Sequence, residues 1–161
     1  MTGATRFSAG VLLFRQRPEL QVLLGHMGGP FWARKDAGAW SIPKGEYEPD
    51  AEQPRSAAAR EFTEELGLPV PAGDWIALGE AKYGSGRSRK QVTIWAVAGE
   101  LDPAQVVPGT FDMEWPPKSG RTQSFPEIDR AEWLDLEQAR TRLTAGQRPF
   151  LDRLVAVLTE S

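Results

Sequence analysis

The chain has 161 residues, 19 basic and 22 acidic for a formal net charge of −3, and 40 % of it is hydrophobic. That suits one ordinary soluble domain, read as spanning residues 1–161, and the near-balanced charge gives no general pull toward nucleic acid or anionic membrane. With no cysteine and a single histidine, His26, disulfides, thiolate zinc sites, cysteine nucleophiles and multi-histidine metal sites are excluded, so any metal must be held by oxygen.

The apolar runs "VLLF" (11–14) and "VAVL" (155–158) are too short to span a bilayer, and the N-terminus lacks the apolar stretch and cleavage site of a signal peptide, so a cytoplasmic protein without a membrane partner is expected. In chain order, "RFSAGVLLF" (6–14) and "LQVLLGH" (20–26) read as strands joined by a turn, with His26 a structural or partly exposed residue at the end of the second. Residues 28–40, with three glycines, a proline and no period, read as a loop, and "WSIPKG" brings the chain back to an extended piece.

From Pro54 to Leu66 the pattern is helical: proline suits the first turn, the alanines at 57–59 favour helix, and Gly67 with Pro69 ends it. "WIALGEAKY" (75–83) and "KQVTIWAVAG" (90–99) read as strands around a flexible basic loop, "GSGRSRK". Residues 101–126, holding five of the thirteen prolines, are expected to be irregular. "EIDRAEWLDL" reads as a last strand running into a helix, and the C-terminal run places Phe150, Leu151, Leu154, Val155 and Leu158 at helical spacing.

The chemistry is concentrated in the first helix. Glu61, Glu64 and Glu65 fall at i, i+3 and i+4, on one face, with Ala59, Phe62 and Leu66 lining the other. Three crowded carboxylates repel one another unless a hard cation neutralises them, and Mg²⁺, or Mn²⁺, prefers such oxygen ligands. A solvated acidic face with Arg60 paired to Glu64 is the bland alternative.

The segment resembles the Nudix hydrolase signature, a glycine, then Glu, then Arg-Glu-apolar-x-Glu-Glu-x-Gly-apolar. Glu52, Arg60, Glu61, Glu64, Glu65, Gly67 and Leu68 fall into place, although six residues rather than five separate Gly45 from Glu52 and Phe62 stands where an aliphatic residue is usual. The resemblance implies an α/β fold, a mixed β-sheet sandwiched between α-helices, and a pyrophosphohydrolase that cleaves a nucleoside diphosphate linked to another group by attack of metal-activated water on phosphorus. It implies Glu61, Glu64 and Glu65 as metal ligands, joined by Gly45 at the loop, with Arg60 holding the carboxylates and Glu52 supporting the corner; which glutamate is the general base stays open. It also implies a further Glu ahead of the last strand, for which Glu127 is the candidate, with Glu114 and Glu132 as weaker alternatives.

For the substrate, "PKG" with Lys44 is similar to diadenosine tetraphosphate hydrolases and to some nucleoside triphosphate or polyphosphate hydrolases. Arg87, Arg89 and Lys90, near Lys82, form a second cationic patch that could hold a polyphosphate tail. Trp32 and Trp115 are loop tryptophans that could stack a base, whereas Trp40, Trp75, Trp95 and Trp133 sit in strand contexts. The expected partner is a nucleotide or polyphosphate small molecule, with no stable nucleic-acid complex, and the apolar "FW" and "EWPP" stretches could line a homodimer face. A nucleotide-binding or sensor module that kept the fold and lost turnover is the alternative to the enzyme.

Overall fold

The structure, a computed structural model, describes residues 5–16 and 19–160, with the side chain of Arg87 outside the described residues. The two opening apolar runs form β1 (Arg6–Gln16) and β2 (Leu20–Met27), antiparallel where the end of the first meets the start of the second, with Phe14 opposite Val22 and Gln16 opposite Leu20. Toward their other ends the strands part. After the two-residue β3 (Trp40–Ser41), β4 (Lys44–Glu46) takes the place beside β1, with Ala9 opposite Gly45 and Gly10 opposite Lys44. On its other edge β1 runs parallel to β6 (Lys90–Ala98), which is antiparallel to β5 (Trp75–Tyr83). The strand β9 (Ile128–Asp135) lies antiparallel on β2. The result is a mixed seven-stranded sheet.

Strand alternation divides the core in two. Ala9, Val11, Leu13, Leu23 and Val97 meet Ala57, Ala58, Phe62 and Leu66 of α1 (Pro54–Leu66). On the opposite face, Leu12, Phe14, Leu24 and Ile94 pack with Ala139 of α2 (Leu136–Arg142) and Phe150, Leu151 and Leu154 of α3 (Pro149–Thr159). The sheet therefore lies between helices, as expected. Ala59 does not line the packed face of α1; Ala58 does, because it stacks in register with Phe62 and Leu66 at four-residue steps. Phe62 is fully buried, and its truncation to alanine would cost about 3–5 kcal/mol.

Helix α1 stops where the sequence indicates: Gly67 adopts φ 72°, a left-handed conformation that glycine tolerates, and its N–H donates to the Thr63 carbonyl at 2.7 Å. One expectation fails. Within residues 101–126 the chain builds a hairpin, β7 (Thr110–Glu114) against β8 (Thr122–Pro126). The prolines fall before the hairpin, at its tip or at its last residue, so none removes a hydrogen bond from its interior. Among the described residues no helix is long and apolar enough to cross a membrane.

Candidate active site

The parting of β1 and β2 admits β4 to the sheet directly under α1, and this sets glycine against glutamate. A Cβ on Gly45 would overlap the Glu61 carboxylate; glycine is required here so that a charged side chain can lie against backbone. Glu61 is thereby packed down, with 13 % of its side chain exposed, while Glu64 stands out at 57 %.

Arg60 ties Glu52, which precedes the helix, to Glu61 and Glu64 on it. Its Nη2 and Nε donate to the two oxygens of Glu52 at 2.8 and 2.9 Å, a bidentate pair. Its Nη1 donates to Glu61 at 2.9 Å and to Glu64 at 3.1 Å. The hydrogen bond from Arg60 holds the Glu52 carboxyl below the usual range. Glu61 is pushed up, first by burial and then by the adjacent Glu64 charge.

Glu65 lies one position further round the helix and has no guanidinium partner among the described residues. Burial, followed by the charges of Glu127 and Glu61, raises its carboxyl to about 8, against a smaller opposing pull from Lys44. Partial burial also raises Glu127. Lys44 is itself lowered, mainly by burial and then by repulsion from Lys90, while Glu65, Glu46 and Glu61 draw it the other way.

These groups line one polar cavity of about 510 Å³, formed by Lys44, Gly45, Glu61, Glu64, Glu65 and Glu127 together with Ser8, Gly109 and Thr110. Among the described residues no three carboxylates already meet at coordinating distance. The donor chemistry nevertheless suits a hard divalent cation: all-oxygen ligands, a glycine that admits a carboxylate to the backbone, and two carboxyls, Glu65 and Glu127, raised first of all by burial and without a guanidinium partner among the described residues.

Lys44, Glu65 and Glu127 also border a second, less polar cavity of about 260 Å³, walled by Met27, Trp32, Ile42, Phe111 and Ile128. Of the two loop tryptophans, Trp32 reaches this cavity and Trp115 borders neither. The hairpin places Phe111 in it, and Gly109 links the hairpin to both sides of the site: its N–H donates to the Glu64 carbonyl and its carbonyl accepts from Glu127 N–H at 2.8 Å. Phe111 was not singled out from the sequence, although the alternation of "TFDME" carried the signal, since Phe111 and Met113 are half-buried and Thr110, Asp112 and Glu114 exposed.

The remaining candidates lie elsewhere. Arg89, Lys90 and Lys82 border a separate depression of about 230 Å³ with Tyr83 and Gln91; Lys90 alone couples to Lys44, and the Arg87 side chain lies outside the described residues. Glu114 accepts from the backbone N–H groups of Lys118 and Gly120 at the hairpin tip, and Glu132 pairs with Arg130 at 3.1 Å.

The sequence matches the NUDIX domain family over residues 4–154. No curated protein sequence matches it. Among solved structures, a Caenorhabditis elegans Ap4A hydrolase in a binary complex is similar at 20 % identity with a TM-score of 0.68, covering 98 % of this chain and 100 % of its own. A MutT protein from Methanosarcina mazei Go1 is 19 % identical with a TM-score of 0.65 and 98 % coverage of both chains. The NUDIX domain of Shewanella oneidensis NrtR, complexed with ADP ribose, is 14 % identical with a TM-score of 0.62, covering 96 % of this chain and 89 % of its own. At such identities these likenesses establish the fold.

Proposed function

This chain belongs to the NUDIX family of hydrolases, and we propose that it cleaves a phosphoanhydride in a nucleoside diphosphate linked to another group, a dinucleoside polyphosphate or a nucleoside triphosphate. The observation that carries this reading is the pair of adjoining cavities sharing Lys44, Glu65 and Glu127. The acidic cavity suits a cation with phosphate. The cavity bordered by Trp32 and Phe111 suits a nucleoside base, which stacks on aromatic faces.

Glu61, Glu64, Glu65 and Glu127, with the Gly45 backbone, would hold Mg²⁺ or Mn²⁺, which when bound supplies charge neutralisation at the phosphoryl oxygens and acidifies water. Arg60 keeps Glu61 and Glu64 from swinging away, and Glu52 keeps Arg60 in place. Lys44, partly desolvated, meets a phosphate oxygen as a point charge. Lys90, whose charge is felt at Lys44, brings positive charge to the edge of the site, where the end of a longer phosphate chain would meet it. Glu65 and Glu127 are the carboxylates without a guanidinium partner among the described residues, so a proton from the attacking water can pass to an Oε atom of either.

The test is product analysis on a panel of diadenosine tetraphosphate, ordinary and oxidised nucleoside triphosphates, ADP-ribose and inositol polyphosphates, with Mg²⁺, Mn²⁺ or chelator. Metal-dependent cleavage of a nucleotide with one phosphoanhydride opened is the expected result. Nucleotide binding without any cleavage would replace the hydrolase reading by that of a sensor.

A further inference from the structure

His26, the chain's single histidine, is 1 % exposed and stands outside both cavities. Its Nδ1 lies 2.9 Å from Asp129 Oδ1 and its Nε2 lies 2.6 Å from the Lys35 carbonyl oxygen. A carboxylate and a carbonyl can only accept, whereas a neutral imidazole carries one N–H. A neutral ring would press a nitrogen lone pair against an oxygen lone pair inside the protein, where an unmade hydrogen bond is most costly. Both contacts are satisfied only when both nitrogens carry protons.

The two oxygens belong to the two arms of the nucleoside cavity. Pairing of β2 with β9 shifts at this point: His26 stands opposite Arg130 and Met27 opposite Ile128, so Asp129 is an extra, bulged residue. A bulge bends its strand and re-aims the side chains beside it. Here it turns Asp129 to His26 two residues after Glu127, whose carbonyl accepts from Gly28 N–H at 3.0 Å. On the other arm, Lys35 N–H donates to the Trp32 carbonyl at 3.0 Å, so fixing the Lys35 carbonyl fixes the turn that presents Trp32. That turn is otherwise exposed, with Phe31 at 63 %.

The surrounding charges are Asp129 and Arg130 from β9, Lys35 and Asp36 from the loop, and Arg142 from α2. The Trp40 ring, edge-on to His26 at 5.3 Å, stands among them; the Arg130 and Arg142 guanidinium groups lie over that ring and Asp36 accepts its N–H. Among the described residues Asp129 is the one charged side chain hydrogen-bonded to the imidazole.

We infer that His26 is a positioning residue held as an imidazolium, clamping the Trp32 loop to the start of β9, directly after Glu127, and so setting the width of the nucleoside cavity. The inference rests on the substrate reading of that cavity. Loss of one ring proton, or of the ring, releases the Lys35 carbonyl and weakens substrate binding while the phosphoryl chemistry beneath is left in place.

The experiment begins with nitrogen-15 NMR of histidine-labelled protein, in which one residue gives the whole imidazole spectrum. At neutral pH both ring nitrogens are expected to be protonated; one bare nitrogen in the folded protein overturns the inference. In kinetics, His26→Gln, whose single amide nitrogen cannot replace two ring nitrogens that reach separate acceptors, is expected to raise KM about tenfold with kcat within about threefold. An unchanged KM, or a loss confined to kcat, contradicts the clamp. Should His26→Gln fail to fold, Asp129→Asn, which keeps an acceptor and removes the charge, supplies the same KM comparison. A panel on which nothing is cleaved defeats the hydrolase reading but leaves the NMR result to decide the clamp.

Discussion

Glu52, Glu61 and Glu64 share the guanidinium of Arg60, whereas Glu65 and Glu127, in the cavity that Glu61 and Glu64 also line, have no guanidinium partner among the described residues. The first group is compensated by the protein itself: Glu52 titrates below the usual range and the helix corner is locked by a bidentate pair. The second is uncompensated, and Glu65 rises to about 8. Like side chains a few residues apart thus do different work. The first set is held in place by Arg60, and in the function proposed above the second joins Glu61 and Glu64 at the cation while staying free to take a proton.

The sharpest way to break this contrast is to neutralise a member of the second group and then to disturb the supports of the first. Glu65→Gln should lower kcat by on the order of 10²–10⁴-fold in a metal-saturated hydrolysis assay, with the fold intact by circular dichroism; activity near wild type would show that the uncompensated group is not the reactive one. Gly45→Ala drives a methyl group into the Glu61 carboxylate and should cost about a hundredfold in kcat/KM. Wild-type turnover in that variant would mean that the contact between β4 and α1 is not needed. Arg60→Lys keeps a charge but cannot span Glu52 with two parallel bonds. A fall on the order of 10–100-fold, partly recovered at high Mg²⁺, is expected from a metal titration of rates.

The smallest effect is on stability against pH, and its sign follows from the two shifts. Glu65 is raised from 4.5 to about 8, so between those values the folded chain holds a proton that the unfolded chain has released. Stability in chelator should therefore fall as pH rises through that window, and saturating Mg²⁺ should flatten the slope. Glu52 is depressed, so its contribution is present above its ordinary value and is lost only as pH falls below it. Melting temperatures across pH with and without metal separate the two.

The periodicity of apolar residues carried most of the fold. Helix α1 was legible to the residue because Pro54 and Gly67 mark its ends and Phe62 and Leu66 define its stripe. The hairpin of β7 and β8 was not, because its prolines mask an alternation whose buried side is only two or three residues long. In the candidate site, the helix carboxylates were readable from local spacing, and Lys44 and Glu127 from the family resemblance. Phe111 and the His26–Asp129 contact were hidden, since each depends on residues far apart in sequence and, for Asp129, on a bulge that simple strand alternation does not encode. Arg89 was placed with the site by charge alone, and the fold sets it in a neighbouring depression.

The most direct test is calorimetric Mn²⁺ binding at pH 7 in buffers of different ionisation enthalpy, for the wild type and Glu65→Gln. If the uncompensated carboxylates are the cation site, binding to the wild type releases about one proton, and the variant binds more weakly and releases none. Equal affinity in both proteins with no proton released would contradict the account.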